Sequence, residues 1–147
     1  RGYQMKKVEP TKAITKILSA NDTGDTGGHQ AGILIPKELR ILSFFPPLDL
    51  EVKNPRHHLV FNDENGGRWE FAFIYYNNRF FGGTRNEYRL TRMTDFIRRN
   101  NLRPGDEIIL SRHEGGGRRV SYKRIGSPVR SAGDALKLGS TWKVIDF

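Results

Sequence analysis

The sequence predicts a mostly β domain, a small barrel or pseudobarrel of about seven strands with two short helices. Three observations carry this. Short runs rich in aromatic and β-branched residues recur along the chain, bounded by Gly, Pro, Asn and Asp. Helix signals occur in two short stretches, after Pro36 and after Met93. The length, 147 residues, suits one domain with a core of its own. No internal repeat is visible.

Residues 1–10 are polar and basic and read as an arm. Residues 12–19 form the first expected strand. Residues 20–30 contain no aliphatic side chain larger than Ala, and a loop of this length in a small domain is usually functional or disordered. Asp22 and Asp25 read as turn caps, and their spacing lacks the ligand pattern of an EF-hand. Gly32 to Pro36 is a short apolar strand. Pro36 opens a helix reaching Leu42 or Phe45, with Glu38 near its positive end. Pro46 and Pro47 stop it. Leu50 to Lys53 alternates as a strand. His58 to Phe61 and Trp69 to Tyr76 form a hairpin through the Asn65-Gly66 turn. Trp69, Phe71, Phe73 and Tyr75 share one face, and the apolar Ala72, Ile74 and Tyr76 indicate burial of the other as well. Residues 93–101 read as a helix with Thr91 or Thr94 near its cap and Phe96 and Ile97 facing inward. A turn at 102–106 leads into strands at 107–112 and 120–125, joined at Gly115 to Gly117. Trp142 to Phe147 is expected to close the sheet.

The net charge is +9 and the pI about 10.1. Residues 79–103 hold seven Arg and two acidic residues, and residues 112–130 hold six Lys or Arg and one Glu, a net +5 in each. Residues 20–78 hold five basic and eight acidic residues, a net −3. Charge concentrated in this way is a footprint for a polyanion, most commonly nucleic acid. No apolar run approaches the length of a membrane helix, no amphipathic basic helix is visible, and no signal-peptide pattern is present, so no membrane partner is expected. The absence of Cys excludes disulfides and thiolate metal sites and fits a reducing compartment. No cofactor is called for. The chain begins at Arg1, so it is expected to be part of a longer protein.

The chemistry concentrates between Tyr75 and Arg92. After the paired glycines Gly82 and Gly83 come Arg85, Asn86, Glu87 and Arg89, with nothing aliphatic among them. These side chains suit base edges in a major groove: Arg donates twice to guanine, Asn serves adenine, and Glu accepts from cytosine N4. A solvated, salt-bridged loop is the ordinary alternative.

Two stretches resemble a known family. Ser19-Ala20-Asn21-Asp22-Thr23-Gly24 with Thr26-Gly27-Gly28-His29-Gln30-Ala31-Gly32 and Ile35-Pro36 resembles the first DNA-gripping arm of the EcoRII-type effector-binding domain. Tyr75-Tyr76-Asn77, Arg79, Phe81-Gly82, Thr84-Arg85-Asn86-Glu87 and Arg89-Leu90-Thr91-Arg92 resembles its second arm. Residues 96–110 are similar to the end of plant B3 domains, which share the DNA-binding pseudobarrel fold. The resemblance covers residues 12–125. It implies two arms in the major groove of duplex DNA, as the target- or effector-binding domain of a bacterial, cytoplasmic restriction endonuclease. A separate nuclease domain would be fused in the parent chain. It further implies a CCWGG-like site, with Asn21, His29, Gln30, Arg85, Asn86, Glu87 and Arg89 reading bases. Lys16, Thr23, Arg79, Thr84 and Arg92 would hold the backbone. The chain departs from the family at Gly83 and Tyr88, where the pattern has Lys, and at Leu34, where it has an aromatic. Arg118, Arg119, Lys123 and Arg124 are available to compensate, and Arg118 and Arg119 join the backbone set.

Two other classes compete. Glu51-Val52-Lys53 fits the E-x-K element of a metal-dependent nuclease, with Asp22, Asp25 or Asp49 as partner; its ordinary reading is a solvent-facing charge pair. The many aromatics could stack the bases of RNA or single strands, but most alternate on strands and read as core.

Overall fold

The computed structural model describes residues 11–24, 32–125 and 142–145. Eight strands are formed: β1 (Ala13–Ile17), β2 (Ile33–Ile35), β3 (Arg56–Asn62), β4 (Arg68–Tyr76), β5 (Glu87–Thr91), β6 (Glu107–Arg112), β7 (Arg118–Lys123) and β8 (Trp142–Val144). Three short helices join them: α1 (Ala20–Thr23), α2 (Leu39–Leu42) and α3 (Thr94–Arg99). The strands make one sheet in the order β2-β5-β4-β3-β7-β6-β1-β8. Neighbours are antiparallel except β3 and β7, which meet in parallel at Asn62 and Arg119. The outermost strands approach each other: Trp142 Nε1 on β8 donates to the Leu34 carbonyl on β2 at 2.9 Å. The sheet is therefore a nearly closed pseudobarrel, as the sequence predicts. Among the described residues, no helix is long and apolar enough to cross a membrane.

The core fills the barrel. Ile14, Phe44, Phe61, Phe71, Phe73, Leu90, Phe96, Leu110 and Val120 are at most 2% exposed. Residues 71–75 of β4 are all buried, so both faces of that strand are covered. Its aromatics continue into a stack. Phe45 lies on Phe73 at 4.2 Å, Phe73 faces Tyr88 at 5.6 Å, and Tyr88 lies on Tyr75 at 4.3 Å. The hairpin between β3 and β4 turns on Asp63, whose Oδ1 accepts the Asn65 and Gly67 amides while Oδ2 accepts Trp69 Nε1. These bonds hold the Asp63 carboxyl below its usual range, the Trp69 bond contributing most. Phe96 and Ile97 of α3 face inward, as expected.

Four expectations change. Residues 50–53 form a turn, not a strand. Pro46, Pro47 and Pro55 bracket this stretch and remove ladder donors, while Asp49 Oδ1 caps the turn by accepting the Glu51 amide at 3.0 Å. Residues 20–23, read as loop, form the single turn α1. The helix expected from Pro36 begins only at Leu39, after an extended Glu38. Residues 87–91, read as part of the polar stretch, form strand β5, while the N-cap of α3 is Met93, next to Thr94, as expected.

The Trp142 bond ties two strands that otherwise end the sheet. Trp142→Phe keeps the ring's apolar bulk and removes the donor. It should lower unfolding free energy by about 1–2 kcal/mol and speed amide exchange in β2. Unchanged exchange in β2 would show that the barrel does not close through this residue.

Candidate nucleic-acid interface

The second arm leaves the barrel at the end of β4. Asn77, 1% exposed, is its base. The Asn77 side chain donates to the Val52 carbonyl at 2.9 Å and the Leu50 carbonyl at 3.4 Å, and accepts the Asn54 amide at 2.6 Å. The Asn77 amide donates to Asn54 Oδ1 at 3.2 Å. A turn of 3-10 helix, Asn78–Phe81, follows. Asn78 closes the arm: its carbonyl accepts the Gly83 amide at 2.6 Å and its Oδ1 accepts the Arg85 amide at 2.7 Å. The Arg79 amide donates to the Arg85 carbonyl at 2.9 Å.

Beyond this knot the polar cluster is prearranged. One oxygen of Glu87, Oε2, accepts from Arg85 Nη2 at 2.8 Å and from Arg89 Nε at 2.6 Å. The Arg85 guanidinium lies over the Tyr76 ring, 3.9 Å from its centroid. Arg89 Nη1 donates to the Gly32 carbonyl at 2.8 Å and so ties the second arm to the exit of the first. Gly32 has φ of +95°, and a Cβ there would lie 2.7 Å from the Leu90 carbonyl oxygen, so only glycine fits. Asn86 Oδ1 accepts from the Tyr75 hydroxyl. The hydrogen bond from Arg85, and that from Arg89, hold the Glu87 carboxyl below its ordinary value of 4.5 against the opposing effect of burial. Burial pushes the Tyr88 phenol up.

The first arm opens with α1. Ser19 and Asp22 form a reciprocal capping box: Ser19 Oγ accepts the Asp22 amide at 3.1 Å and Asp22 Oδ2 accepts the Ser19 amide at 2.9 Å. Asp22 thus acts as a cap, one of its expected readings. The same Oδ2 pairs with Lys16 Nζ, and both side chains are buried. Lys16 therefore holds α1, and a phosphate contact would require Nζ to leave Asp22. Asn21 is exposed and Thr23 half-buried on α1. His29, Gln30 and Asp25 lie outside the described residues.

A cleft of about 390 Å³ lies between the arms, lined by Asp22 and Gly32 from the first, Tyr76 and Arg85 from the second, and Arg56 and Arg92 beside them. Arg92 is exposed with φ of +67°, a conformation that bulky residues seldom adopt outside constrained sites. Arg56 was missed by sequence reasoning. Its signal was the strand period, which puts it opposite Leu59 and Phe61. Arg79 and Thr84 are exposed on the second arm. Arg118 and Arg119 do not line this cleft. Arg118 sits across from Arg112 on β6, its Nε is buried without a hydrogen-bond partner, and burial with the neighbouring Arg112 charge lowers its guanidinium pKa. Arg119 is exposed on β7. Glu51 and Lys53 are exposed in the turn after α2. Among the described residues no three His, Asp or Glu side chains are grouped to hold a metal ion.

The nearly closed eight-stranded sheet, with the polar segment that follows β4, defines a B3-like pseudobarrel domain. Comparison with known proteins agrees. Residues 8–107 match the family model for the N-terminal domain of restriction endonuclease EcoRII, and the chain belongs to that family. The chain is 43% identical over 83 residues to the type II restriction enzyme EcoRII of Escherichia coli, covering 54% of this chain and 20% of that protein. It is 30% identical over 121 residues to auxin response factor 4 of Arabidopsis thaliana, covering 82% of this chain and 14% of that protein. With auxin response factor 2 of Oryza sativa it shares 32% identity over 109 residues, 74% of this chain and 14% of that protein. The chain thus spans a fifth or less of each of these relatives.

A depressed carboxyl contributes order above its unfolded pKa and loses it as pH falls through the lower folded value. The Glu87 carboxyl should therefore titrate below 4.5 by NMR, and its midpoint should move up in Arg85→Ala. A midpoint of 4.5 or higher in the unsubstituted chain would mean the two guanidinia do not rest on Glu87.

Proposed function

We propose that this chain recognises a specific duplex DNA sequence through two arms in the major groove, as the target- or effector-binding domain of a restriction endonuclease. The observation that carries the reading is the Arg85-Glu87-Arg89 cluster, whose Arg85 lines the cleft and whose guanidinia keep unused donors. Arg85, Asn86, Glu87 and Arg89 on the second arm, and Asn21, His29 and Gln30 on the first, read bases. Arg79, Thr84, Arg92 and Thr23 hold phosphates, joined by Arg56 from β3. Arg119 and half-buried Arg118 extend the basic surface, and Lys16, paired with Asp22, would reach a phosphate only by leaving it. The site read is of the CCWGG kind, in which guanine suits arginine and cytosine suits glutamate. A nuclease domain fused in the parent chain would do the cutting, in a bacterial cytoplasm.

The test is binding to a CCWGG duplex against a scrambled duplex near physiological salt, with Mg²⁺ present and products resolved on a gel. A preference of about 10³-fold or more, without cleavage, is expected. Equal binding would remove the CCWGG assignment. Cleavage would restore Glu51 and Lys53 as a catalytic pair. Arg85→Ala should cost about 1–3 kcal/mol and relax discrimination at one G·C pair. A loss equal on all sequences would remove Arg85 from base reading.

A further inference from the structure

Two apolar rings stand on the second arm with no role in holding it together. Phe80 is 65% exposed and Phe81 44%, while every other described aromatic is buried or half-buried. The turn that carries them is tied by Asn77, Asn78 and backbone bonds, so its shape does not depend on the rings. One cation lies beside them: the Arg79 guanidinium is 5.9 Å from the Phe80 ring. Single exposed apolar residues are ordinary on a protein surface. Two adjacent phenyl rings on a tied turn beside an arginine fit a narrower partner, one that is anionic at its edges and apolar at one point within. The major groove has that form wherever a thymine places its C5-methyl between the phosphate rows.

We propose that Phe80 is a specificity residue of the second arm, contacting a thymine methyl group in the bound duplex. The inference rests on the duplex-recognition reading above and adds a base that the Arg85-Glu87-Arg89 cluster does not address. Because Phe80 carries no charge, its contribution should leave the salt dependence unaltered.

The test uses the 147-residue chain and two versions of the duplex it binds best, CCWGG or the winner of a randomised selection. One version carries thymine and the other deoxyuridine at every thymine position. The unsubstituted chain should bind the uridine duplex about fourfold more weakly for each methyl contacted. Phe80→Ala should bind the two alike, with a salt slope equal to that of the unsubstituted chain. Comparing both proteins on both duplexes cancels any change that uridine makes to DNA shape. A chain that binds no duplex selectively sinks the function and the inference together. Selective binding with equal affinity for the two duplexes sinks the inference alone, as does a uridine penalty that survives in Phe80→Ala; either result would leave the rings to a protein partner.

Discussion

A buried amide decides how the second arm leaves the barrel. Residues 71–75 of β4 are committed to the core, and the chain must pass within two residues from fully apolar packing to an exposed, charged loop. Asn77 makes that passage. Its side chain is sealed from water, where an unpaired amide would cost about 1–3 kcal/mol. Here both of its ends are used, on the Leu50 and Val52 carbonyls and the Asn54 amide. The same bonds explain why residues 50–53 are not a strand. Carbonyls that a sheet neighbour would have claimed are turned toward Asn77 instead. The arm and the turn define each other, and the segment leaves β4 from that joint.

The polar cluster of the second arm is built before any partner arrives. Ordering a long side chain at an interface costs about 0.5–1.5 kcal/mol, and an arginine on a loop would ordinarily incur it on binding. Arg85 and Arg89 incur it within the domain, because Glu87 Oε2 and the Tyr76 ring already hold them. The cluster uses few of the guanidinium donors, so the remaining ones stay available in a fixed orientation. Lys16 shows the opposite arrangement. Its charge is buried, compensated by Asp22, and serves the capping box that shapes α1. Arg79 and Arg92 remain exposed, as suits contacts with mobile phosphate oxygens rather than directional base edges.

Much of this could be read from local pattern. Runs of β-branched, aromatic and apolar residues located β1, β2, β3, β6 and β7, the period of two oriented β4, and Asn65-Gly66 located the first turn. What failed was non-local. Leu50-Glu51-Val52-Lys53 alternates like a strand but has no neighbour to pair with. In β5, Tyr88 and Leu90 alternate with Glu87, Arg89 and Thr91, yet the charge of the segment hid its period. Ser19 and Asp22 stand at capping-box spacing, a helix signal overshadowed by the surrounding glycines. In the site, residue chemistry singled out Arg85, Asn86, Glu87 and Arg89. That one carboxylate oxygen holds both arginines depends on the local course of β5 and could not be read from spacing.

The same geometry bears on residues 83 and 88, where the resemblance to the family implied lysine. At residue 83 a Cβ would lie 2.8 Å from Asn78 Cγ. That amide accepts the Arg85 backbone N–H, so any side chain there must displace the bond that sets the start of the recognition cluster. Glycine removes the conflict. At residue 88 the chain places an aromatic in the stack running from Phe45 through Phe73 to Tyr75. Tyr75 in turn holds Asn86 through its hydroxyl. A lysine at residue 88 would supply a charge for a phosphate but would interrupt the stack and leave Tyr75 less firmly placed. Both residues serve the shape of the segment: Gly83 leaves room for the bond between Asn78 and the Arg85 amide, and Tyr88 completes the aromatic stack.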